Sequence, residues 1–437
     1  MSKAGSLRRL LVEWHRYIGL TLAPFLVVIA VTGGIIPYYY ELERAVNSKL
    51  RVVEPQQKAW TLHDILVIRE RLEKQDPHSS VFSLQFPQRA DSAVFSRVMG
   101  AINPATGEPF ELHYDEVFAN PYTGERLGER AIGHFSLQPK DLVSQIFFLH
   151  YAFIFPATLG MLILGCLALV WAVESLIGFY LTLPPASAAN RKKPAIDRAA
   201  AFFNRWKGAW QVKWRVSSYR LIHDSHRAIG LWLWALLLLF AVTGFALNLP
   251  QYYVRFMNAF TNYAHFQELP PRPGLDKPLL NPPVDWYEAL ELGQRYMSEQ
   301  AQLQGFEVGK PAALEYRRDL GMYFYLAHTS RDLRHGYTPN ETDSPATAAT
   351  LAIDARDGSY LGVQLPTGQR ASNTITSWMI ALHTTAIGGL PWQIAVSVFG
   401  LFVSTMIVTG VLIWWRKRKV RKTKPRPSTN ELQSTRG

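Results

Sequence analysis

The sequence predicts an α-helical membrane protein: a four-helix bundle built as a duplicated two-helix unit, carrying two small α+β modules outside the lipid. Three observations predict it. Apolar residues make up 48% of 437 positions and gather in four long blocks rather than spreading through the chain. His15-Arg16-Tyr17-Ile18-Gly19-Leu20 returns as His226-Arg227-Ala228-Ile229-Gly230-Leu231, and Ala30-Val31-Thr32-Gly33 returns as Ala241-Val242-Thr243-Gly244, each at a separation of 211 residues. The remaining stretches carry helix caps and Asn/Asp…Gly hairpin signals typical of compact α+β structure.

Residues 1–40 form the N-terminus and first span, whose apolar run is longer than a secretory h-region and lacks a small-x-small cleavage site, so a retained helix is expected. Residues 41–141 form the first outer module. Thr61 caps a helix to Gln75 with Asp64 in its first turn, and strands follow at Val81–Phe86 and Ala93–Met99. Residues 142–183 form the second span, long enough that a tilt or an outward protrusion at its start is expected.

The loop 184–220 is basic, with Arg191, Lys192, Lys193, Arg198, Arg205, Lys207, Lys213, Arg215 and Arg220 against Asp197 alone. Its Phe202, Trp206, Trp210 and Trp214 recur every four residues, predicting an amphipathic helix in the headgroup region. Residues 221–249 form the third span. Residues 250–375 form the second outer module, with a helix from Asp285 to Glu299 and strands at Ala312–Tyr316 and Met322–His328. Residues 376–415 form the fourth span, and 416–437 a basic tail. Hairpin turns are expected at Asn103–Gly107, Asn120–Gly124 and Asp354–Gly358, where glycine supplies positive φ. The positive-inside rule then places both termini and the 184–220 loop in the cytoplasm and both modules outside, which in a bacterial inner membrane is the periplasm.

Lys and Arg number 46 against 34 Asp and Glu, but this excess lies beside the apolar runs, which argues for lipid contact and against nucleic acid. One cysteine, Cys166, excludes an internal disulfide, a four-thiolate iron–sulfur cluster and Cys-x-x-Cys-His haem attachment. Neither a dinucleotide fingerprint nor a Gly-x-Ser-x-Gly, His-Glu-x-x-His or P-loop motif is present, so hydrolase and ATPase chemistry have no support.

Histidines inside apolar helices are costly without a partner. His15 and His226 sit at the cytoplasmic ends of the first and third spans, each with a glycine (Gly19, Gly230) four residues later on the same helical face. His150 and His383 sit near the starts of the second and fourth, and so share the opposite depth. Paired imidazoles at one depth suit bis-His coordination of a non-covalent haem b, two haems in all. His223, three residues before His226, rivals it as a ligand. Arg16 and Arg227 are candidates for haem propionates, and Glu174 for a bond to a haem group or to either arginine. His63, His78, His113, His134, His265, His328 and His335 lie in the outer modules as solvated or substrate-facing residues.

The Trp14-His15-Arg16-Tyr17-Ile18-Gly19 opening with Thr32-Gly33, its second copy, and the Asn-Pro-x-Thr-Gly-Glu hairpins resemble the PepSY-associated transmembrane family over nearly the whole chain. That resemblance implies PepSY-like outer modules and an iron-acquisition oxidoreductase of the ferric-siderophore reductase or iron-regulated inner-membrane type. Its electrons would come from a separate cytoplasmic donor, such as a flavin reductase, and reach a periplasmic ferric-siderophore, with release of Fe(II). The alternatives are a haem-bearing electron conduit to another periplasmic enzyme and a haem-free PepSY binding or regulatory protein.

Overall fold

The computed structural model describes residues 3–132, 136, 138–185, 194–263, 274–333 and 348–423. In chain order the elements are α1 (Lys3–Ile35), α2 (Tyr39–Val46), α3 (Ser48–Arg51), α4 (Leu62–Gln75), β1 (Ser79–Gln85), β2 (Val94–Gly100), β3 (Glu116–Ala119), β4 (Arg126–Arg130), α5 (Leu142–Ala152) and α6 (Ala157–Thr182). There follow α7 (Ala195–Lys207), α8 (Ser218–Trp232), α9 (Trp234–Asn248), α10 (Pro250–Asn258), α11 (Trp286–Gln304), β5 (Val308–Arg317), β6 (Met322–Thr329), β7 (Ala349–Asp354), β8 (Tyr360–Gln364), α12 (Ala371–His383) and α13 (Gly389–Thr423). His134, His265 and His335, and the basic residues Arg191, Lys192, Lys193 and Lys424, lie outside the described residues.

Among the described residues, three helical stretches are long and apolar enough to cross a membrane: Ser6–Val46, Ala157–Thr182 and Gly389–Lys419. A fourth crossing is made if α8 and α9, bent by 66° to one another, count as one span. Three expected spans are therefore not continuous helices. The second breaks between α5 and α6, where Phe153 takes a φ of 59° and Pro156 removes an amide donor. The fourth breaks between α12 and α13, where Thr385 takes a φ of 55° and Gly388 and Gly389 follow at positive φ. The third bends at Leu233, three residues after Gly230, and the span holds no proline before Pro250.

The chain divides into two compact units. The first comprises residues 1–34, 166–244 and 397–437 and is helical. Its apolar centre includes Leu237, Phe399 and Val403, with Phe240 stacked on Phe399 at 4.9 Å. Gly400 lets α13 close on α1, since a Cβ there would sit 2.6 Å from the Ala30 carbonyl. Within this unit α7 ends at Lys207, so the expected amphipathic helix carries Phe202 and Trp206 but not Trp214. Trp210 belongs to a following 3₁₀ turn and packs its ring 5.2 Å from that of Trp206.

The second unit, residues 35–165 and 245–396, is built on one antiparallel eight-stranded sheet of order β4-β3-β2-β1-β5-β6-β7-β8. Strands from the two expected outer modules thus meet at β1 and β5, where Ser83, Leu84 and Gln85 pair with Glu315, Leu314 and Ala313. The caps read from the sequence hold: Thr61 and Asp64 form a reciprocal capping box, and Asp285 accepts from the Tyr287 and Glu288 amides. Gly107, Gly124 and Gly358 all take positive φ at the expected turns. Helices α4 and α11 bury Ile65, Leu66, Leu290 and Met297 against Leu84, Leu314, Tyr323, Tyr325 and Ile353. Each such side chain stabilises by about 1.5–3 kcal/mol. Gly293 is required here, because a Cβ would lie 2.6 Å from the Tyr325 ring.

On the opposite face, register partners align Arg130, Glu116, Arg97, Ser83 and Glu315 in one row across β4, β3, β2, β1 and β5. Residues directly opposite in a sheet project to the same side, so this is a polar strip across the sheet. Its β4 end is locked. Arg130 and Arg51 share buried Glu43, at 2.7 and 3.3 Å, and Arg130 also holds Glu116 at 2.5 Å. Two cations and two carboxylates balance, tying α2 and α3 to β3 and β4.

Candidate functional site

The first unit brings His15 and His226 together, with ring centroids 6.4 Å apart and planes at 58°. Each ring is held through its Nδ1. His15 bonds to the Glu174 carboxylate at 2.6 Å, and Glu174 is only 5% exposed. His226 bonds to the Met406 carbonyl at 2.8 Å. A carbonyl only accepts, so Nδ1 of His226 carries the proton and Nε2 keeps its lone pair. The Glu174 carboxylate likewise accepts, so Nδ1 of His15 also carries a proton. A neutral imidazole with Nδ1 committed and Nε2 basic is the form that ligates metals.

The helices explain why the rings fit. On α6, Glu174 and Gly178 are four residues apart on one face, and a Cβ at Gly178 would stand 3.4 Å from Cε1 of His15. On α13, Met406 and Gly410 repeat that spacing, and a Cβ at Gly410 would crowd Cε1 of His226 at 3.0 Å. Thr409 adds its hydroxyl 3.4 Å from Nδ1 of His226, while also donating to the Met406 carbonyl. A Cβ at Gly19 would meet nothing within 4 Å, so open space adjoins α1 one turn from His15. At Gly230 the nearest atom would be the Met406 sulfur, at 3.5 Å.

The second unit brings together His150, on α5, and His383, the last residue of α12, with centroids 6.3 Å apart and planes at 83°. Both rings lie beside the helix breaks at Phe153 and Thr385. Non-glycine residues at positive φ cost roughly 1–3 kcal/mol each and persist where surrounding structure fixes them. The Trp392 indole donates to the Leu382 carbonyl at 2.9 Å, pinning the corner after His383.

Chemistry separates the possible occupants. With metal–nitrogen bonds of about 2.0–2.1 Å, two imidazoles on opposite sides of one ion have centroids roughly 6.3 Å apart, the spacing of both pairs. Among the described residues, no group of three or more His, Cys, Asp or Glu side chains is placed to hold a metal ion. Two imidazoles leave the other coordination positions of a metal open, and a porphyrin brings four nitrogens in one plane. The donor set, the committed Nδ1 atoms and the space beside Gly19 all fit haem b.

The other expected residues are placed as follows. His226, rather than His223, meets His15; His223 is 45% exposed and lies 3.8 Å from Asp224. Arg227 donates to the Gly208 and Ala209 carbonyls at 2.8 and 3.2 Å and pairs with Asp224, which ties α8 to the turn after α7. The Arg16 guanidinium lies over the neighbouring Tyr17 ring at 6.0 Å. Glu174 takes His15 as its partner, not either arginine. Gly178 and Gly410 escape a reading that looks for the histidines' own glycines. For Gly410 the signal is nevertheless present, since Val408-Thr409-Gly410 matches the Val-Thr-Gly of residues 31–33 and 242–244, whereas Gly178 follows Leu176-Ile177 and carries none.

Arg97 is exposed and makes no hydrogen bond or ion pair among the described residues. Glu315 accepts from Ser83 at 2.9 Å, and its burial holds the carboxyl above the usual range against the pull of Ser83, Arg97 and Arg317.

Apolar spans, one antiparallel sheet and two histidine pairs define a multi-pass membrane protein whose titratable rings are matched in twos. The chain belongs to the family described as the PepSY-associated TM region, whose model matches residues 12–417 and so includes all four paired histidines. No curated protein matches the chain.

Proposed function

We propose that the protein is a di-haem b oxidoreductase of the bacterial inner membrane, a duplicated two-helix unit with both termini cytoplasmic and PepSY-like modules in the periplasm. It would pass electrons from a cytoplasmic donor to a periplasmic ferric-siderophore. The observation that carries this reading is the pair of imidazole pairs, with ring centroids 6.4 and 6.3 Å apart.

His15 and His226 would hold one haem and His150 and His383 the other. Together the haems would supply one-electron carriers for a path through lipid that ions cannot follow. The chain's own contribution is to fix the ring tautomers through Glu174 and Met406 and to seat the outer rings at the corners after α5 and α12. Of the strip running through Arg97, Ser83 and Glu315, the exposed Arg97 is the cation that would meet an oxygen-rich chelate. One electron per iron converts Fe(III) to Fe(II), which hard oxygen ligands hold less tightly.

Reconstitution into liposomes tests the reading. With dithionite trapped inside and a ferric hydroxamate plus a ferrous indicator outside, the wild type should develop ferrous colour, and His383→Ala should develop none above empty liposomes. Haem that is reduced by dithionite while ferric chelates stay untouched would instead favour a conduit to another periplasmic enzyme.

A further inference from the structure

In the first unit the two ring anchors occupy matching places but differ in charge. Four residues before Gly178 stands Glu174, whose side chain takes Nδ1 of His15; four residues before Gly410 stands Met406, whose backbone carbonyl takes Nδ1 of His226. Glu174 is buried within a helix whose sequence from Ala157 to Thr182 contains no other charged residue. Its second oxygen, Oε1, is buried and makes no hydrogen bond among the described residues. A buried carboxyl with one hydrogen-bonded oxygen depends on that bond, here the one from the His15 N–H.

We infer that Glu174 is a positioning residue that lowers the reduction potential of the haem held by His15 and His226. The inference rests on the proposed haem ligation. A carboxylate that draws on the Nδ1 proton makes Nε2 a stronger donor, and a stronger anionic donor favours the oxidised iron. The neutral carbonyl at Met406 exerts less of this pull, so the effect enters through one ligand. A low potential on the cytoplasmic side keeps that haem ready to pass its electron outward.

The test is a spectroelectrochemical titration of the full chain as wild type and as Glu174→Gln, each repeated with His383→Ala so that only the inner haem remains. Glutamine still accepts from Nδ1, so ring orientation is kept and only the charge is lost. Both haems should be retained in Glu174→Gln. The inner wave should move upward by at least the tenfold change in reduced-to-oxidised ratio that corresponds to about 59 mV for one electron. The outer wave should stay in place. Retained haem with an unmoved inner wave overturns the inference alone, because it would leave Glu174 a purely geometric role. A wild type that binds no haem overturns the underlying reading, and this inference with it.

Should Glu174→Gln fail to assemble, the low-spin EPR signal of oxidised His383→Ala protein decides. A signal displaced toward imidazolate-ligated haem supports the inference, and one matching neutral bis-imidazole haem contradicts it.

Discussion

The two histidine pairs share a spacing but are held by different means. His15 and His226 sit inside helices, and each ring is fixed by a hydrogen bond from Nδ1 to a neighbouring helix, with glycines clearing the space around it. His150 and His383 sit where helices stop, beside Phe153 and Thr385 in left-handed backbone. One site is set by side-chain hydrogen bonds between neighbouring helices and the other lies where the backbone breaks. The same ring spacing is thus reached by two routes, and the routes should fail differently.

The largest effects should come from the ligands. His150→Ala or His383→Ala should remove one of the two haems and abolish chelate reduction, while the remaining haem stays reducible. His15→Ala or His226→Ala should remove the other haem. Pyridine haemochrome assays on each purified variant give the count.

Next in size is Arg130→Met, which strands buried Glu116 and leaves Glu43 with Arg51 as its one cation, and should cost about 3–5 kcal/mol in the second unit. The His150–His383 haem should then be lost at lower temperature than the inner one, read as two separate transitions in the Soret band.

Gly410→Val should act on the inner pair alone. A Cβ 3.0 Å from Cε1 of His226 already forces that ring to shift, and the branched side chain moves it away from the Met406 carbonyl. Partial loss of inner haem with the outer haem intact is the expected result; equal loss at both sites would show that the pairs are not independently held.

The smallest effect concerns Glu315. Its folded-state carboxyl titrates above the unfolded one, so the native state binds more protons and this group's contribution is complete below the unfolded value. As pH rises from about 4.3 through the raised value, that contribution is lost. Glu315→Gln should flatten the fall in melting temperature over this window in the second unit, leaving the inner haem's transition unchanged.

Much of this arrangement is legible in the sequence because it depends on local chemistry. The Thr61–Asp64 capping box, the Asp285 cap and the Asn/Asp…Gly turns are written in adjacent residues and hold as read. The histidines can be matched by depth because span order fixes which helix ends lie level. The helix breaks are a different case. Leu233 lies in an unbroken apolar run, and Phe153 is a residue that rarely takes positive φ, so tertiary packing rather than propensity decides both. The amphipathic pattern through Trp214 overreaches because Gly208 ends the helix while the tryptophan spacing continues. The choice of Glu174's partner and the joining of the strands into one sheet depend on contacts between segments more than 150 residues apart, which no local pattern encodes.

The most direct test is the haem content of the purified full-length protein expressed with ample haem, measured with a reduced-minus-oxidised spectrum. Two b-type haems per chain, falling to one in His383→Ala and to one in His15→Ala, is the predicted result. A folded, colourless wild type, or variants that keep the full complement, would contradict it.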